Sequence, residues 1–424
     1  MSKNRFVRRV MAVVSIALPV FITLPYSMAD EFEPMEKKAE SGVLATMSSR
    51  EFIARYIPPR VPGQVVRAQD FLKGNSHTEA IEAALSSVSN GTPVILILDQ
   101  QSWIIDRAIC LPSHTELLII DCMLKLADGV FDNIIRVAGI QPDPANPYGF
   151  CEVQPTENIR ITGLKGAVIE GADHPYEGKN PKTGKITKWV GDFYGWRTVG
   201  ILLSHTKGYE ISGFTLRKTH GWAISQGQCS QGYLHDIVFE TQVKNGDGID
   251  FRNGCSFALV ENISGHTSDD TVAMTALNGS YFTPQSNYVY PLQPEGLDFE
   301  GDAADIHDIA VRNIQTSGRH HAVICLATSP KVYNISIHHV IDEMPSTRES
   351  VVKIYSGYGS GYVEGNLSNI TVSHVISKGA KYAVQVTTQV KDVSFSDIQQ
   401  MKKGAETYAI SEGSENLTIF KKDQ

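Results

Sequence analysis

Asp247 stands in the stretch Asn245-Gly246-Asp247-Gly248-Ile249-Asp250, and 22 residues later Asp269 opens the pair in Ser268-Asp269-Asp270-Thr271-Val272-Ala273-Met274. In a chain that repeats at about that period, residues one period apart lie on adjacent parallel strands roughly 4.8 Å apart. Asp247 is therefore expected to stack against Asp269 and Asp270. Clustered carboxylates push one another's protonation apart, so that one stays neutral while another is ionised. Hydrolysis of a glycosidic bond needs such a pair, an acid for the leaving oxygen and a base for water. Taken singly, each stretch reads equally as a turn, a solvated corner or a calcium ligand. The spacing by one period makes the three candidates for acid and base.

The elements that must position them are short β-patterned runs, each with a polar or turn residue before alternating apolar ones. They include Asn158-Ile159-Arg160-Ile161, His235-Asp236-Ile237-Val238-Phe239, Tyr333-Asn334-Ile335-Ser336-Ile337 and Ser368-Asn369-Ile370-Thr371-Val372. From Ile211 to Ile237 to Leu259 the steps are 26 and 22 residues, and from Ile370 to Val393 to Leu417 they are 23 and 24. Such a period without helical patterning between the runs indicates an all-β solenoid, a parallel β-helix with one coil per repeat. The recurring Asn and Asp predict a ladder at the coil turns. Residues 275–305 break the period and read as a loop beside the carboxylates. Thr78 to Leu85 patterns as a short amphipathic helix, a candidate cap for the open N-terminal end of the solenoid.

Lys3, Arg5, Arg8 and Arg9, an apolar run from Val10 to Leu24 and the small-residue site Ser27-Met28-Ala29 read as a signal peptide over 1–29. The expected organisation is that peptide, a poorly ordered or loosely packed lead-in over 30–60 and a single β-helix domain over 61–424. An exported protein, periplasmic or extracellular, without stable membrane insertion and monomeric, is expected. Losing 1–29 removes four positive charges from a net −8, leaving −12, which argues against a nucleic-acid partner. Six cysteines in an oxidising compartment permit disulfides; most sit in apolar runs and read as buried thiols, with Cys110 and Cys122 the favoured bridge. No Cys or His cluster has zinc spacing, and no metal or cofactor is expected.

The motifs resemble those of glycoside hydrolase family 28, the polygalacturonase group of right-handed parallel β-helices with a pectin-lyase-like fold. The family's Asn-x-Asp-Gly-x-Asp is similar to Asn245 to Asp250, and its Gly-Asp-Asp to Ser268-Asp269-Asp270, with Ser268 for Gly. Its Gly-His-Gly resembles Arg319-His320-His321, where His320 takes the histidine position and His321 replaces a glycine. Of its Arg-x-Lys, only Lys353 remains in Val351-Val352-Lys353. The resemblance implies Asp269 as general acid, Asp247 with Asp270 as the base pair, inversion, and a pectic or related polysaccharide or oligosaccharide substrate. It implies a carboxylate-binding role for the two basic residues, so the missing one puts galacturonate specificity in question.

His320 and Lys353 are the expected substrate contacts, with Tyr355 and Trp196 as sugar-stacking aromatics. On strand parity Asp250 faces away from Asp247 and reads as structural. Two alternatives remain at this stage: a calcium-dependent polysaccharide lyase on the same architecture, and a noncatalytic carbohydrate-binding β-helix.

Overall fold

The computed structural model describes residues 43–420, apart from 75, 143–150, 175–177, 180–185, 188–197, 279–300, 358–362 and 364. The expected signal peptide, Trp196 and most of the 275–305 loop lie outside the described residues. The fold is a right-handed parallel β-helix. One long parallel sheet runs in chain order from Gln64–Arg67 to Glu415–Phe420, and a second runs from Ile109–Leu111 to Glu406–Ile410. Every coil contributes a strand to the stack, so each backbone ladder is satisfied by the coils on either side.

Side-chain alternation decides what faces inward. In the second sheet Ile249, Val272, Val323, Val352 and Val384 are register partners, as are Phe251, Met274, Cys325 and Ile354. All are buried in one core. The first column is β-branched throughout, which suits stacking on a pleated surface, and each fully buried large apolar side chain contributes roughly 1.5–3 kcal/mol. The residues between them, Asp250, Ala273, Ile324 and Lys353, form a column on the outer face.

The Asn and Asp residues of the repeat occupy left-handed backbone positions. Asp308, Asn334, Asn369, Asp392 and Asn416 have φ of 53–56°, and Asp236, Asn262 and Asn313 form a second such column. Asn and Asp tolerate this region better than other non-glycine residues. Their side chains bond from coil to coil: Asn262 Nδ2 donates to Asp236 Oδ1 at 3.0 Å, Asn416 Nδ2 to Asp392 Oδ1 at 2.9 Å, and Asn369 to Asn334. Having two such columns per coil explains why the repeat step from Ile211 to Ile237 is out of register. Ile211 pairs with Leu234, while Ile237 pairs with Ile263. The motif occurs twice in one coil, so the step from Ile211 to Ile237 joins its first occurrence in one coil to its second in the next.

The amphipathic helix forms at His77–Ser86, opened by a Ser76–Glu79 capping box. Ala80, Ile81 and Ala84 join the core, and Thr78 Oγ1 and His77 Nδ1 accept from the backbone N–H groups of Asp106 and Ile104. It thus covers apolar surface and edge donors at the first coils. The expected loosely packed lead-in is different for residues 43–57. A second capped helix, Ser49–Tyr56, buries Phe52 and Tyr56 with Leu44 and Ile57 against Leu259 and Ala310 on the outside of the long sheet. Arg312 donates to the carbonyls of Leu44 and Met47.

Cys110 and Cys122 are free, not bridged. Cys110 lies in strand Ile109–Leu111 of the second sheet, whereas Cys122 sits in the bend after Thr115–Ile120 of the first. Their thiols point to the carbonyls of Ala108 and Leu98. No helix among the described residues is long and apolar enough to cross a membrane.

Candidate active site

The two acidic stretches form the turns that enter neighbouring strands Ile249–Arg252 and Val272–Ala276. Ile249 pairs with Val272, so Asp247 and Asp270 occupy matching positions just ahead of the ladder. The turns are fastened to each other. Thr241 Oγ1 donates to Gly246 O and accepts from the Ser268 N–H, while Ser268 Oγ donates to Val243 O. A Cβ on Gly246 would come within 2.5 Å of Ser268 Oγ, so the close approach requires glycine there. Ser268, which departs from the resemblance, is therefore part of the fastening.

The result is a tight carboxylate group: one oxygen each from Asp247, Asp269 and Asp270 lies within 4.8 Å of the others. Asp247 is buried, while Asp269 and Asp270 are half-buried. Burial, with Asp269 and Asp250 alongside, pushes the Asp270 carboxyl well above the usual carboxylate range, against the pull of the His321 N–H and Arg348. The His321 N–H donates to Asp270 Oδ1 at 2.9 Å. Asp269 retains some exposure, and its Oδ1 lies 3.4 Å from Nδ1 of the exposed His320. The parity argument for Asp250 fails because Asp247 precedes the strand. Asp250 lies on the outer column and adds its charge to that around Asp270.

His321 is a site residue that sequence reasoning passed over as a substitute for glycine. It is buried, with Nδ1 2.9 Å from Ser350 Oγ, and burial followed by the Lys353 charge lowers its pKa to about 3. It is therefore neutral over the working range of most enzymes. Asp270, His320 and His321 also lie within 4.8 Å of one another.

Lys353 is one strand further along, the register partner of Ile324. Its ammonium is 3.1 Å from Glu349 Oε2 and 5.1 Å from the centre of the Tyr355 ring. The cation expected to meet substrate is thus engaged by a carboxylate. Tyr355 packs against Ala273, Leu277, Ile324 and Leu326, an apolar cluster on the outer face, separate from the solenoid core. The structure brings Asp247, Asp269, Asp270 and His320 together and places Lys353 and Tyr355 on a neighbouring strand of the same sheet.

No protein-family model matches the sequence, and no curated protein matches it. Solved structures do. An exopolygalacturonase from Thermotoga maritima is 15% identical, with 89% of this chain and 96% of that one covered and a TM-score of 0.51. The polygalacturonase from Erwinia carotovora ssp. carotovora is 14% identical, covering 86% and 98%, with a TM-score of 0.52. PfbA, a surface adhesin of Streptococcus pneumoniae, is 12% identical, covering 84% and 83%, with a TM-score of 0.51. At such identities the likeness is one of fold, and the fold carries both glycosidases and an adhesin.

Proposed function

We propose that this protein is a glycoside hydrolase that cuts O-glycosidic bonds of a polysaccharide or oligosaccharide, with Asp247, Asp269 and Asp270 as its acid and base. The observation that carries the reading is the carboxylate trio, packed within 4.8 Å, in which the surroundings of Asp270 favour its protonated form. A solenoid gains nothing in stability from three like charges at one turn. Hydrolysis uses them: a carboxylic acid protonates the leaving oxygen while a carboxylate takes a proton from the attacking water.

The raised pKa of Asp270 changes the division of labour expected from the resemblance. An ionised Asp270 as half of the base is disfavoured by burial and by Asp269 and Asp250. In our reading Asp270 stores the shared proton, the outer Asp269 delivers it to the leaving oxygen, and Asp247 accepts the proton of water. Transfer from Asp247 back through the trio resets the site. The resemblance implies inversion, whereas the trio is closer than the roughly 6.5–9.5 Å of typical inverting pairs. The anomeric configuration of the first product decides between them.

His320 and Tyr355 are the proposed sugar contacts. The pairing of Lys353 with Glu349 favours a test panel that includes neutral glycans beside pectic ones. Export, from residues 1–29, and action as a monomer belong to the same reading.

The experiment is product analysis of the purified protein on pectic, other plant and algal polysaccharides, following reducing ends and unsaturated-sugar absorbance together. New reducing ends without that absorbance are expected, and Asp269→Asn should lower turnover by about 10²–10⁴-fold with melting unchanged. Unsaturated products and calcium dependence would replace hydrolysis with elimination. Binding without any product would favour the noncatalytic reading, which the likeness to an adhesin keeps in play.

A further inference from the structure

Behind the acid trio lies a cation with no expected role. Arg348 is fully buried, with Nε 3.2 Å from the equally buried Asp342. Asp342 is itself anchored, accepting from the N–H groups of Gly379 and Ala380 at 2.9 and 3.0 Å. A buried ion pair is weak evidence for a stabilising purpose, because apolar residues of similar volume often serve as well. What distinguishes this one is where the rest of the guanidinium points.

Arg348 Nη2 donates to Thr271 Oγ1 at 3.0 Å, Thr316 Oγ1 at 3.1 Å and Ser317 O at 2.9 Å. Thr271 follows Asp270 directly in the chain. Its hydroxyl lies 2.8 Å from Thr267 Oγ1 and 3.0 Å from Thr316 Oγ1, and Thr267 Oγ1 donates to the Asp269 carbonyl. Each hydroxyl has one proton. Thr267 uses its proton on Asp269, so Thr271 must donate to Thr267 and Thr316 to Thr271. Arginine, which can only donate, shares the two Nη2 protons among Thr271 Oγ1, Thr316 Oγ1 and Ser317 O. The direction of the whole chain is then fixed, from the guanidinium to the backbone of Asp269. Gly318 leaves the space: a Cβ there would meet Arg348 Nη2 at 2.8 Å and Thr267 O at 2.3 Å.

We infer that Arg348 is a positioning residue for the acid trio, locking the 267–271 turn through the threonine hydroxyls and supplying fixed positive charge behind Asp269 and Asp270. The groups facing Asp270 are otherwise mainly acidic. Asp247, Asp269 and Asp250 are around it, exposed His320 and neutral His321 are beside it, and Arg348 is the cation among the described residues that draws it towards ionisation. Burial lowers Arg348 itself only to about 10, so it stays charged. The inference rests on the hydrolase reading for its effect on turnover, but its effect on Asp270 can be measured without turnover.

The experiment labels aspartate carboxyls with ¹³C and follows their titration by NMR, assigning Asp270 as the signal missing from Asp270→Asn. Three forms are compared with the unaltered protein: Arg348→Met with Asp342→Asn, which removes both buried charges; Arg348→Lys; and Thr271→Val, which breaks the hydroxyl chain and no charge. The first should raise the Asp270 titration by about one pH unit. Arg348→Lys should restore most of that shift, and Thr271→Val should leave the titration in place. Both Arg348→Lys and Thr271→Val should lower kcat by up to about 10²-fold while changing KM little, as misplaced catalytic groups do. Unchanged Asp270 titration in the charge-free form, or in Arg348→Gln if that form does not fold, would overturn the electrostatic role. Unchanged kcat in Thr271→Val would overturn the positioning role. If the unaltered protein cleaves no glycan, the hydrolase reading fails, and the NMR titration still decides the electrostatic role of Arg348.

Discussion

Glu170 and Asp270 are carboxyls on the same solenoid whose ionisation desolvation opposes, Glu170 buried and Asp270 half-buried, and they meet opposite neighbours. Glu170 pairs in register with Lys125 on one side and Arg217 on the other, and Arg217 with Glu240 beyond it. Lys125 and Lys218 place their ammonium groups 2.9 and 3.1 Å from its carboxylate. Burial alone would raise its pKa, but Lys125, Lys218 and Arg217 outweigh burial and hold it below the usual range. Parallel stacking at Glu170 has alternated the charges, as cross-strand pairing favours. At Asp270 the same stacking aligns like charge with like, and the carboxyl answers by keeping its proton. The solenoid permits either arrangement, so the choice of neighbour decides whether such a carboxyl is held ionised or drawn towards its protonated form.

The contrast can be broken most directly at Glu170. Glu170→Gln keeps the volume and removes one carboxylate from three cations, of which Lys125 and Lys218 keep Asp173, and it should lower stability by about 1.5–3 kcal/mol, the range for hydrogen bonds to charged groups. The lower end is favoured because Arg217 and Lys218 side chains are 36% and 48% exposed and regain water. Turnover per folded molecule should be unchanged. Equal melting of the two proteins in chemical denaturant would mean that the alternating column has no structural purpose.

Asp270→Asn should behave in the opposite sense. It removes a carboxyl that burial and two like charges oppose, and the amide still accepts from the His321 N–H. A gain of about 0.5–2 kcal/mol is expected, of the size found when functional strain is relieved, together with loss of glycan cleavage. Loss of both stability and activity would place Asp270 with Glu170, as a structural group.

How far this contrast was legible in the sequence depends on what spacing can carry. The period of the apolar runs gave the solenoid, and the recurring Asn and Asp gave the left-handed positions of Asn334, Asn369 and Asn416. The spacing of Asp247 from Asp269 and Asp270 brought the three together. Spacing gives proximity along the stack and says little about depth. The crowding of the carboxyls goes with the way Thr241 and Ser268 fasten two turns, and neither residue carries a motif that announces this. Arg348 reaches Thr271 across 77 residues of sequence. His321 was hidden by its neighbour, since only one histidine fitted the pattern of the resemblance. Strand parity misled at Asp250 because it was counted through a turn. The Cys110–Cys122 bridge was excluded by their placement in different sheets, which a count of cysteines does not contain.

The smallest expected effect is in the pH dependence, and it separates the two carboxyls by sign. Stability rises with pH wherever the unfolded chain holds more protons than the folded one. The folded Glu170 ionises below its unfolded value, so its contribution is fully present above about pH 4.5 and is lost as pH falls through the lowered folded pKa. The folded Asp270 ionises above its unfolded value. Below about pH 4 it is neutral in both states and costs nothing from ionisation; as pH rises from there, the unfolded chain gives up the proton first and the folded state falls behind. The penalty therefore grows from about pH 4 towards the raised folded pKa. Subtracting each variant's unfolding free energy from that of the unaltered protein at each pH removes the contributions of all the other groups. The Glu170→Gln difference should shrink towards acid from the positive side, and the Asp270→Asn difference from the negative side. Two differences of one sign, or an Asp270 difference independent of pH, would show that its burial does not bear on its proton, and the proton store at the centre of the proposed chemistry would go with it.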